Sequence, residues 1–269
     1  MATRDSLGTR MKEYYEAIPK TRLMRRTPVA IRIDGKAFHT FTRGFQKPFD
    51  KVLMTTMQET MKYLCENIQG CVFGYTQSDE ITLILLDYQT FDTSAWFDYE
   101  IQKIASISAS MATMFFNRKF SSMVQQYKDK LDDLRVMKKI TDEDIKASLA
   151  YEKALDKGAM FDSRVFNIPK EEVCNLVYWR QQDATRNSIQ MVGRAYFSHK
   201  ELQNKNTSNI QDMLHDKFNV NWNNYPIACK RGSACIKGED GKWFIDLKMP
   251  ILKDKDRKYV DDLIYIGET

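Results

Sequence analysis

The chain has 269 residues, of which 43% are hydrophobic, so it can bury a sizeable core and does not have the composition of a disordered protein. Its 41 basic and 36 acidic residues leave a net charge of only +5, which restricts any nucleic-acid footprint to a local patch. Five cysteines without a CxxC pair, three histidines and no apolar stretch of about 18 residues argue against a zinc motif and a membrane span, and we expect a cytoplasmic protein with reduced thiols.

The first elements are a helix, a strand and a longer helix. A mixed-polarity helix is expected over residues 4 to 18, and Pro28 then begins the strand VAIRI, which runs directly into Asp34. Asp50 has the position of an N-cap before an amphipathic helix that ends near Gly70.

A hairpin and a second helix follow. The stretch CVFGYTQSDEITLILL predicts two short strands, with Gln77, Ser78, Asp79 and Glu80 near the tip between them. Helical spacing then places one set of apolar and small residues on a single helix face: Phe97, Ile101, Ile104, Ser108, Met111 and Phe115.

The second half of the chain is more charged. Residues 127–157 carry sparse apolar positions at helical spacing, which is typical of a solvated helical excursion. RVFNIP predicts a strand that Pro169 ends, and helices are expected from 170 to about 194 and near 208 to 218. The turn signal KGEDGKW and the alternation in WFIDLKMPIL predict a final hairpin and tail.

The order of these elements is the βαββαβ series of a ferredoxin-like sheet. We therefore expect an α+β fold with an antiparallel, polymerase-palm-like sheet, flanking helices and a helical C-terminal extension. The palm-like catalytic domain is expected over residues 1–169, including the charged excursion near 127–157. Residues 170–269 are expected to form a helical and hairpin extension packed on it. Nucleotidyl cyclases and polymerase palms share this outline, so the fold alone assigns no function.

Acidic residues converge in such a sheet. Its first and third strands are central neighbours, so Asp34 at the end of the first strand meets Asp79 and Glu80 at the hairpin tip. Mg²⁺ commonly takes one or two protein carboxylates plus substrate phosphates, and two ions roughly 4 Å apart can activate an attacking hydroxyl and stabilise a leaving pyrophosphate. A DG turn for Asp34 and a capped hairpin tip for Asp79 are the alternatives, but the two acids together favour a metal site.

Gly35 is expected to let the chain turn sharply after the first strand. The amides from Lys36 to His39 then enter a helical turn, where exposed N–H groups can cradle a triphosphate.

Six motifs now resemble a known family. RIDGKAFHTF, FQKPFD, GYTQSDEITLIL, FDSRVF, YWRQQD and CKRG occur in the order expected of the tRNA-histidine guanylyltransferase superfamily, which adds nucleotides to RNA 5′ ends in the 3′-to-5′ direction. The resemblance covers most of residues 4–247. The pairing of RIDG with QSDE on one chain is specific, whereas WRQ or KRG alone is a weak signal.

The resemblance implies that Asp34, the Gly35 carbonyl and Asp79 hold two Mg²⁺ ions, with Glu80 supporting the acidic site and Lys47 completing the catalytic set. Residues at or next to positions that handle the nucleotide, the triphosphate or the 5′ end are Arg32, Gly35, Lys36, Ala37, Phe38, His39, Lys47, Asp50, Ser78, Lys103 and Arg164. Structural alternatives remain. Arg32 alternates with isoleucines, as on the solvent face of a strand, and a histidine such as His39 more often has a structural role than a catalytic one.

The chemistry implied by the resemblance starts from a 5′-monophosphorylated RNA, which is a poor electrophile. ATP activates it as a 5′-adenylate, and the 3′-hydroxyl of an incoming NTP, such as GTP, then attacks that phosphorus. A 5′-triphosphate is used directly. Both steps are in-line transfers in which metal and cation placement supply most of the stabilisation.

One segment departs from the family pattern. Eukaryotic members that recognise tRNA-histidine carry HINNLYN just after WRQ and an acid. Here Thr185 stands at the histidine, Asn187 is retained, and Gln190 and Met191 replace the tyrosine and the final asparagine. The difference favours similarity to the guanylyltransferase-like proteins of bacteria, archaea and some protists, which repair 5′-truncated tRNAs in a template-directed manner.

Three hypotheses follow. The leading one is a template-dependent 3′-to-5′ nucleotidyltransferase that repairs tRNA 5′ ends, and the second is a guanylyltransferase that adds one G to tRNA-histidine. The third, a catalytically silent RNA-binding module, rests only on basic clusters. The family commonly assembles as tetramers, so we expect a homotetramer, a dimer of dimers. The candidate tRNA-contacting residues are Arg180, Asn187, Lys230 and Arg231.

Overall fold

The computed structural model describes residues 6–266 and contains one six-stranded sheet. The strands are β1 Val29–Gly35, β2 Cys71–Gln77, β3 Glu80–Leu85, β4 Phe161–Asn167, β5 Ser233–Lys237 and β6 Trp243–Asp246. The helices are α1 Ser6–Met11, α2 Phe38–Phe41, α3 Lys51–Asn67, α4 Ile101–Val136, α5 Asp142–Lys157, α6 Lys170–Tyr196, α7 His199–Leu202, α8 Thr207–Phe218, α9 Ile227–Arg231 and α10 Lys258–Ile264. Within residues 6–266 no helix is long and apolar enough to cross a membrane.

The strand order is β4-β1-β3-β2-β5-β6, and every neighbouring pair is antiparallel. The first four strands have the order that the βαββαβ series predicts, with β1 and β3 adjacent at the centre. The α+β, palm-like fold predicted from the sequence is therefore confirmed. Strands β5 and β6 continue this sheet beyond β2, so the hairpin of the C-terminal part joins the sheet of the N-terminal part. The division into two domains at residue 169 stays a prediction.

Helices cover both faces of the sheet. On one face, α3, α4 and α5 bury a core that includes Ile31, Met61 and Phe116, all fully inaccessible to solvent. On the other face, α6 and α10 pack through residues such as Val177 and Val260. The sheet is therefore the middle of three layers.

Several local predictions are confirmed. Asp50 caps α3 by accepting a hydrogen bond from the Leu53 amide, and the predicted hairpin, RVFNIP strand and two later helices are present. The predicted first helix is present as α1, followed by a π-helical turn at Lys12–Glu16, and residues 4 and 5 of that prediction lie outside the described residues. Phe97, which was predicted on a face of the second helix, instead lies in a 3₁₀ turn before α4, with a left-handed φ of 48°.

The charged excursion at 127–157 is helical but not simply solvated, which corrects the sequence-based prediction. It consists of the end of α4 and all of α5. Most acidic and basic side chains of α5 face outward, while a stripe of small residues and one tyrosine is buried against the core: Ala147, Ala150, Tyr151 and Ala154. Because the stripe is mostly alanine, its hydrophobic signal was weak beside the surrounding charge.

The turn after β1 has a different physical basis from the one predicted. The left-handed residue is Ala37, with φ of 54°, rather than Gly35. A Cβ built on Gly35 would collide with the ring of Phe38, which is buried against Phe116 and Phe161. Glycine is required here because a packed aromatic ring approaches the backbone.

We therefore expect Gly35→Ala to destabilise the fold by about 1–3 kcal/mol, because the Phe38 ring must move within a packed core. Gly238→Ala is the matched control, since the closest atom to its Cβ would be a side-chain oxygen of Asp240, at 3.1 Å. Denaturant unfolding of both variants measures the difference. Equal stabilities for the two variants would contradict the close-approach explanation.

Candidate active site

Four carboxylates meet at one end of the central strands, here called the acidic end of the sheet: Asp34, Asp79, Glu80 and Asp162. In the strand register Asp34 is the partner of Glu80 on β3 and of Asp162 on β4. The Gly35 amide donates to the Asp79 carbonyl at 3.1 Å, which joins β1 to the hairpin tip. The predicted convergence of the first three acids is thus present. Asp162 was not predicted, although its place opposite Asp34 follows from the strand order.

Two of these acids, Asp34 and Asp79, have raised pKa values. Burial is the main cause for Asp34, and the nearby charges of Glu80 and Asp162 raise its pKa further. Burial also raises the pKa of Asp79, against a hydrogen bond of 2.9 Å from the Ser78 hydroxyl that favours the ionised form. A site that disfavours its own negative charges gains stability from a bound cation.

Glu80 differs from the other acids because two arginines neutralise it. Its carboxylate accepts from Arg32 at 2.9 Å and from Arg180 of α6 at 2.7 Å, and it is almost fully buried. Trp179 lies over both guanidinium groups, with ring-centre distances of 5.5 Å to Arg32 and 4.4 Å to Arg180. Glu80 is therefore placed to support the acidic end by holding β1, β3 and α6 together.

The oxygen donors around Asp34 fit an open Mg²⁺ site, which substrate and water complete, better than a site formed by protein ligands alone. Although four acids lie at this end, within residues 6–266 no three His, Cys, Asp or Glu side chains are close enough together to hold a metal by themselves. The two carboxylates of Asp34 and Asp79 and the carbonyl of Gly35 are oxygen donors, and Mg²⁺ usually completes such a set with water and substrate phosphates. These residues would hold the metal, and the assignment stays a prediction.

A pocket of about 740 Å³ opens beside the acidic end. Its walls are the loop before α3, the hairpin tip, the second half of α6, and α9 with the start of β5. This volume suits a ligand the size of a nucleotide. Of the predicted site residues, nine line it: Gly35, Ala37, Phe38, His39, Lys47, Asp50, Ser78, Asp79 and Asn187.

Some of these residues are less free than the sequence suggested. Asp50 is buried, and its carboxylate accepts from the Gln46 amide, the Leu53 amide and the Tyr151 hydroxyl. The Lys36 amide donates to the Met160 carbonyl at 2.8 Å, so it is not part of a phosphate cradle. The cradle is thereby reduced to the turn at Ala37, Phe38 and His39.

Lys103 was predicted to lie at or next to the nucleotide site. Within a single chain the structure places it away from this site. The Thr113 hydroxyl accepts from the amide of Phe161, the register partner of Gly35, so Thr113 marks the level of the acidic end along α4. Lys103 lies ten residues earlier on the same helix, which corresponds to about 15 Å along its axis. Its ammonium group lies over the ring of Phe97, 4.9 Å from the centre.

Arg164 stands next to the acidic end but outside the pocket. It is the register partner of Arg32, its side chain is 60% exposed, and its positive charge lowers the pKa of Asp34. Its ion pair with Asp162 is long, at 3.7 Å. Arg164 is therefore free to meet a phosphate near Asp34.

The predicted tRNA-contacting cations are mostly occupied internally. Arg180 is buried and also bonds Asp183 at 2.8 Å. Lys230 is buried, donates to the Asn223 carbonyl at 2.6 Å, and has its pKa lowered first by burial and then by Arg231. Arg231 lies over the Trp222 ring. Of the four candidates, Asn187 is exposed and lines the pocket.

Sequence reasoning missed two cations on the pocket wall, Arg43 and Arg194. Arg43 follows the short helix α2, and Arg194 lies in the last turn of α6. Neither belongs to a recognisable motif. Only the packing of α6 beside the loop before α3 brings them to one cavity.

The family model described as tRNAHis guanylyltransferase matches residues 8–169, more than half of the chain. An uncharacterised protein of Acanthamoeba polyphaga mimivirus is 27% identical over 85% of this chain and 76% of its own length. A probable tRNA(His) guanylyltransferase of Dictyostelium discoideum is 25% identical over 80% of this chain and 77% of its own length.

A solved structure of a bacterial tRNA(His) guanylyltransferase-like protein in complex with ATP is similar to this chain, with a TM-score of 0.80 and 41% identity. It covers 97% of this chain and 100% of the other. A second bacterial structure, in complex with GTP, has a TM-score of 0.74 and 37% identity over the same shares. Together with the family match, these similarities show that the chain belongs to the tRNA(His) guanylyltransferase family of nucleotidyltransferases.

Proposed function

We propose that this protein is a Mg²⁺-dependent, template-dependent 3′-to-5′ nucleotidyltransferase that repairs the 5′ ends of truncated tRNAs. The observation that carries the proposal is the pair of crowded carboxylates, Asp34 and Asp79, at the edge of a nucleotide-sized pocket. ATP and GTP in the two similar bacterial structures support nucleoside triphosphates as its substrates.

The basic and acidic residues of the site have different roles in this proposal. Lys47, Arg43 and Arg194 line the pocket and would neutralise a triphosphate, while the turn from Ala37 to His39 offers backbone amides. Asp34 and Asp79 would hold Mg²⁺, which when bound lowers the cost of activating a hydroxyl and of releasing pyrophosphate. Partial burial of Asp34 and Asp79 weakens the screening of their charges by water.

The altered segment on α6 favours repair over addition of a single G to tRNA-histidine. Thr185 stands at the family's histidine, and its hydroxyl is turned back onto the Gln181 carbonyl at 2.9 Å. Met191 lines the pocket instead of an asparagine. The two bacterial guanylyltransferase-like chains are also more similar in sequence than the curated relative from Dictyostelium. A catalytically silent RNA-binding module is disfavoured because all the predicted acids are present together.

We propose that the protein assembles as a homotetramer in which subunits share the tRNA. Support comes from α1 and the π-helical turn, where no residue is buried, and from Tyr14, Tyr15 and Ile18 in and just after that turn, which are each more than 60% exposed. Exposed apolar side chains grouped in one segment are typical of an interaction surface. The cytoplasmic location and the tRNA contacts of Asn187 and Arg231 belong to the same proposal.

Asp34→Asn and Asp79→Asn are each expected to reduce nucleotide incorporation by roughly 100-fold or more, because each removes a charge that would hold the metal. Asp34→Asn should not lower the unfolding midpoint without divalent ions. The raised pKa means that the ionised Asp34 costs stability above that pKa, and the amide removes this cost.

Asp162→Asn is the matched control for these variants, because Asp162 is the register partner of Asp34 on β4 and has an exposed side chain. We expect an effect of less than about fivefold. Activity that survives in both Asp34→Asn and Asp79→Asn would rule out the metal mechanism.

Substrate choice is tested with labelled 5′-monophosphorylated tRNAs that lack one or two 5′ nucleotides, compared with full-length tRNA-histidine. We expect the incorporated NTP to follow the base on the opposite strand. Incorporation confined to G on tRNA-histidine, whatever the templating base, would instead establish the guanylyltransferase function.

A further inference from the structure

The pocket loop, defined as residues 44–50, forms one wall of the cavity with all seven of its residues. Its more accessible side carries Lys47, while Phe45 and Asp50 point inward and are buried. A loop that lines a ligand pocket without regular hydrogen bonding of its own needs support from neighbouring elements.

That support comes from the charged segment at 127–157. The hydroxyl of Tyr151 on α5 donates to Asp50 Oδ2 at 2.6 Å, across 101 positions of sequence. The same Oδ2 accepts from the Gln46 amide at 2.9 Å, and Oδ1 accepts from the Leu53 amide at 2.8 Å. Asp50 thus joins the middle of the pocket loop to the start of α3, and Tyr151 is its side-chain hydrogen-bond partner.

A second connection runs through the end of α4. The Gln46 side chain donates to the Tyr127 hydroxyl at 3.1 Å, and Tyr127 donates to Asp144 of α5 at the same distance. The ring of Tyr151, fully buried, packs edge-on against Phe45, with 4.8 Å between ring centres. A Cβ on Gly44 would lie 3.0 Å from Ala150, so α5 lies directly against the loop backbone.

From these contacts we infer that Tyr151 is a positioning residue, and that α5 with the end of α4 is a brace holding the pocket loop in the shape that binds a nucleoside triphosphate. The inference rests on the proposed function of the pocket. It also gives the charged segment a role, because the outer face is solvated while the inner face fixes the nucleotide-binding wall.

The three donors around Asp50 are neutral, so each contributes by hydrogen bonding to the carboxylate rather than by ion pairing. Burial raises the pKa of Asp50, and the Tyr151 hydroxyl is the largest influence in the opposite direction. A hydrogen bond from a neutral donor to a buried carboxylate is stronger than one between neutral groups. Loss of the Tyr151 hydroxyl therefore weakens the hydrogen bonding of the buried Asp50 carboxylate that holds the pocket loop.

Tyr151→Phe removes the hydroxyl and keeps the ring. We expect the Kd for ATP and the KM for the incoming NTP to rise about tenfold while kcat changes less than about threefold, because the variant loosens the loop without touching the acidic end. Amide hydrogen exchange at Gln46 and Leu53 should accelerate, since both amides donate to Asp50.

Tyr259→Phe is the matched control, because Tyr259 donates to Asp246 at 2.7 Å in a second tyrosine–aspartate pair, half-buried, that does not line the pocket. It should leave Kd and KM unchanged while removing a hydrogen bond of the same kind. In an Asp50→Asn background, Tyr151→Phe should have little further effect on KM, as expected for residues that act as one unit.

The controls separate the possible failures. A wild-type protein that binds neither ATP nor GTP would contradict the function proposed for the pocket. Wild-type binding that Tyr151→Phe leaves unchanged, or that Tyr259→Phe weakens equally, would overturn the brace. If Tyr151→Phe does not fold, Tyr127→Phe breaks the second connection, and an unchanged KM in that variant would overturn the inference as well.

Discussion

Glu80 is a buried carboxylate at the acidic end of the sheet, and its bonds to Arg32 and Arg180 are the interaction on which the site depends. An unpaired carboxylate so deeply buried would cost several kcal/mol, and removal of one partner of such a cluster typically costs about 3–5 kcal/mol. Both arginines compensate the charge of Glu80, although that charge still contributes to the raised pKa values of Asp34 and Asp79. The arginines also come from different elements, so the bonds that neutralise Glu80 also fix α6 against β1 and β3.

This attachment explains why the C-terminal part completes the pocket. The first turns of α6 pack on the sheet, Arg180 bonds to Glu80, and the following turns carry Asn187, Ser188 and Met191 to the cavity wall. Beside them lies the pocket loop, which is held by α5 and also packs against the hydrophobic cluster of α6 through Phe49. The cavity is therefore bounded by two walls with different main attachments, one through a buried charge cluster and the other through a tyrosine–aspartate hydrogen bond.

The sequence was sufficient for features that depend on local pattern. The VAIRI run and the hairpin YTQSDEITLIL predicted the central strands, and Asp50 predicted the start of α3. The order of the strands then placed Asp34 beside Asp79. It was insufficient wherever the partner of a charged side chain lies far away in sequence. Arg180 resembled an RNA-contacting cation because its partner Glu80 is 100 positions away. For a related reason, Lys230 was predicted to contact tRNA and Tyr151 was not singled out. Sequence alone does not show whether a polar group faces water or a buried acceptor.

The strand order also determines how two polyanionic substrates can meet at one pair of acids. The pocket lies toward β2, β5 and α9 and includes Asp79, whereas Asp34 lies on the strand next to β4, which carries the exposed guanidinium of Arg164. Neighbouring strands are about 4.8 Å apart, so the pocket on one side and Arg164 on the other are separated only by the central strands. Under the proposed reaction, the triphosphate enters beside Lys47 while the RNA 5′ phosphate approaches beside Arg164. Each polyanion then has its own cation, and the two reactants meet only at Asp34 and Asp79, where a metal can offset the charge of both.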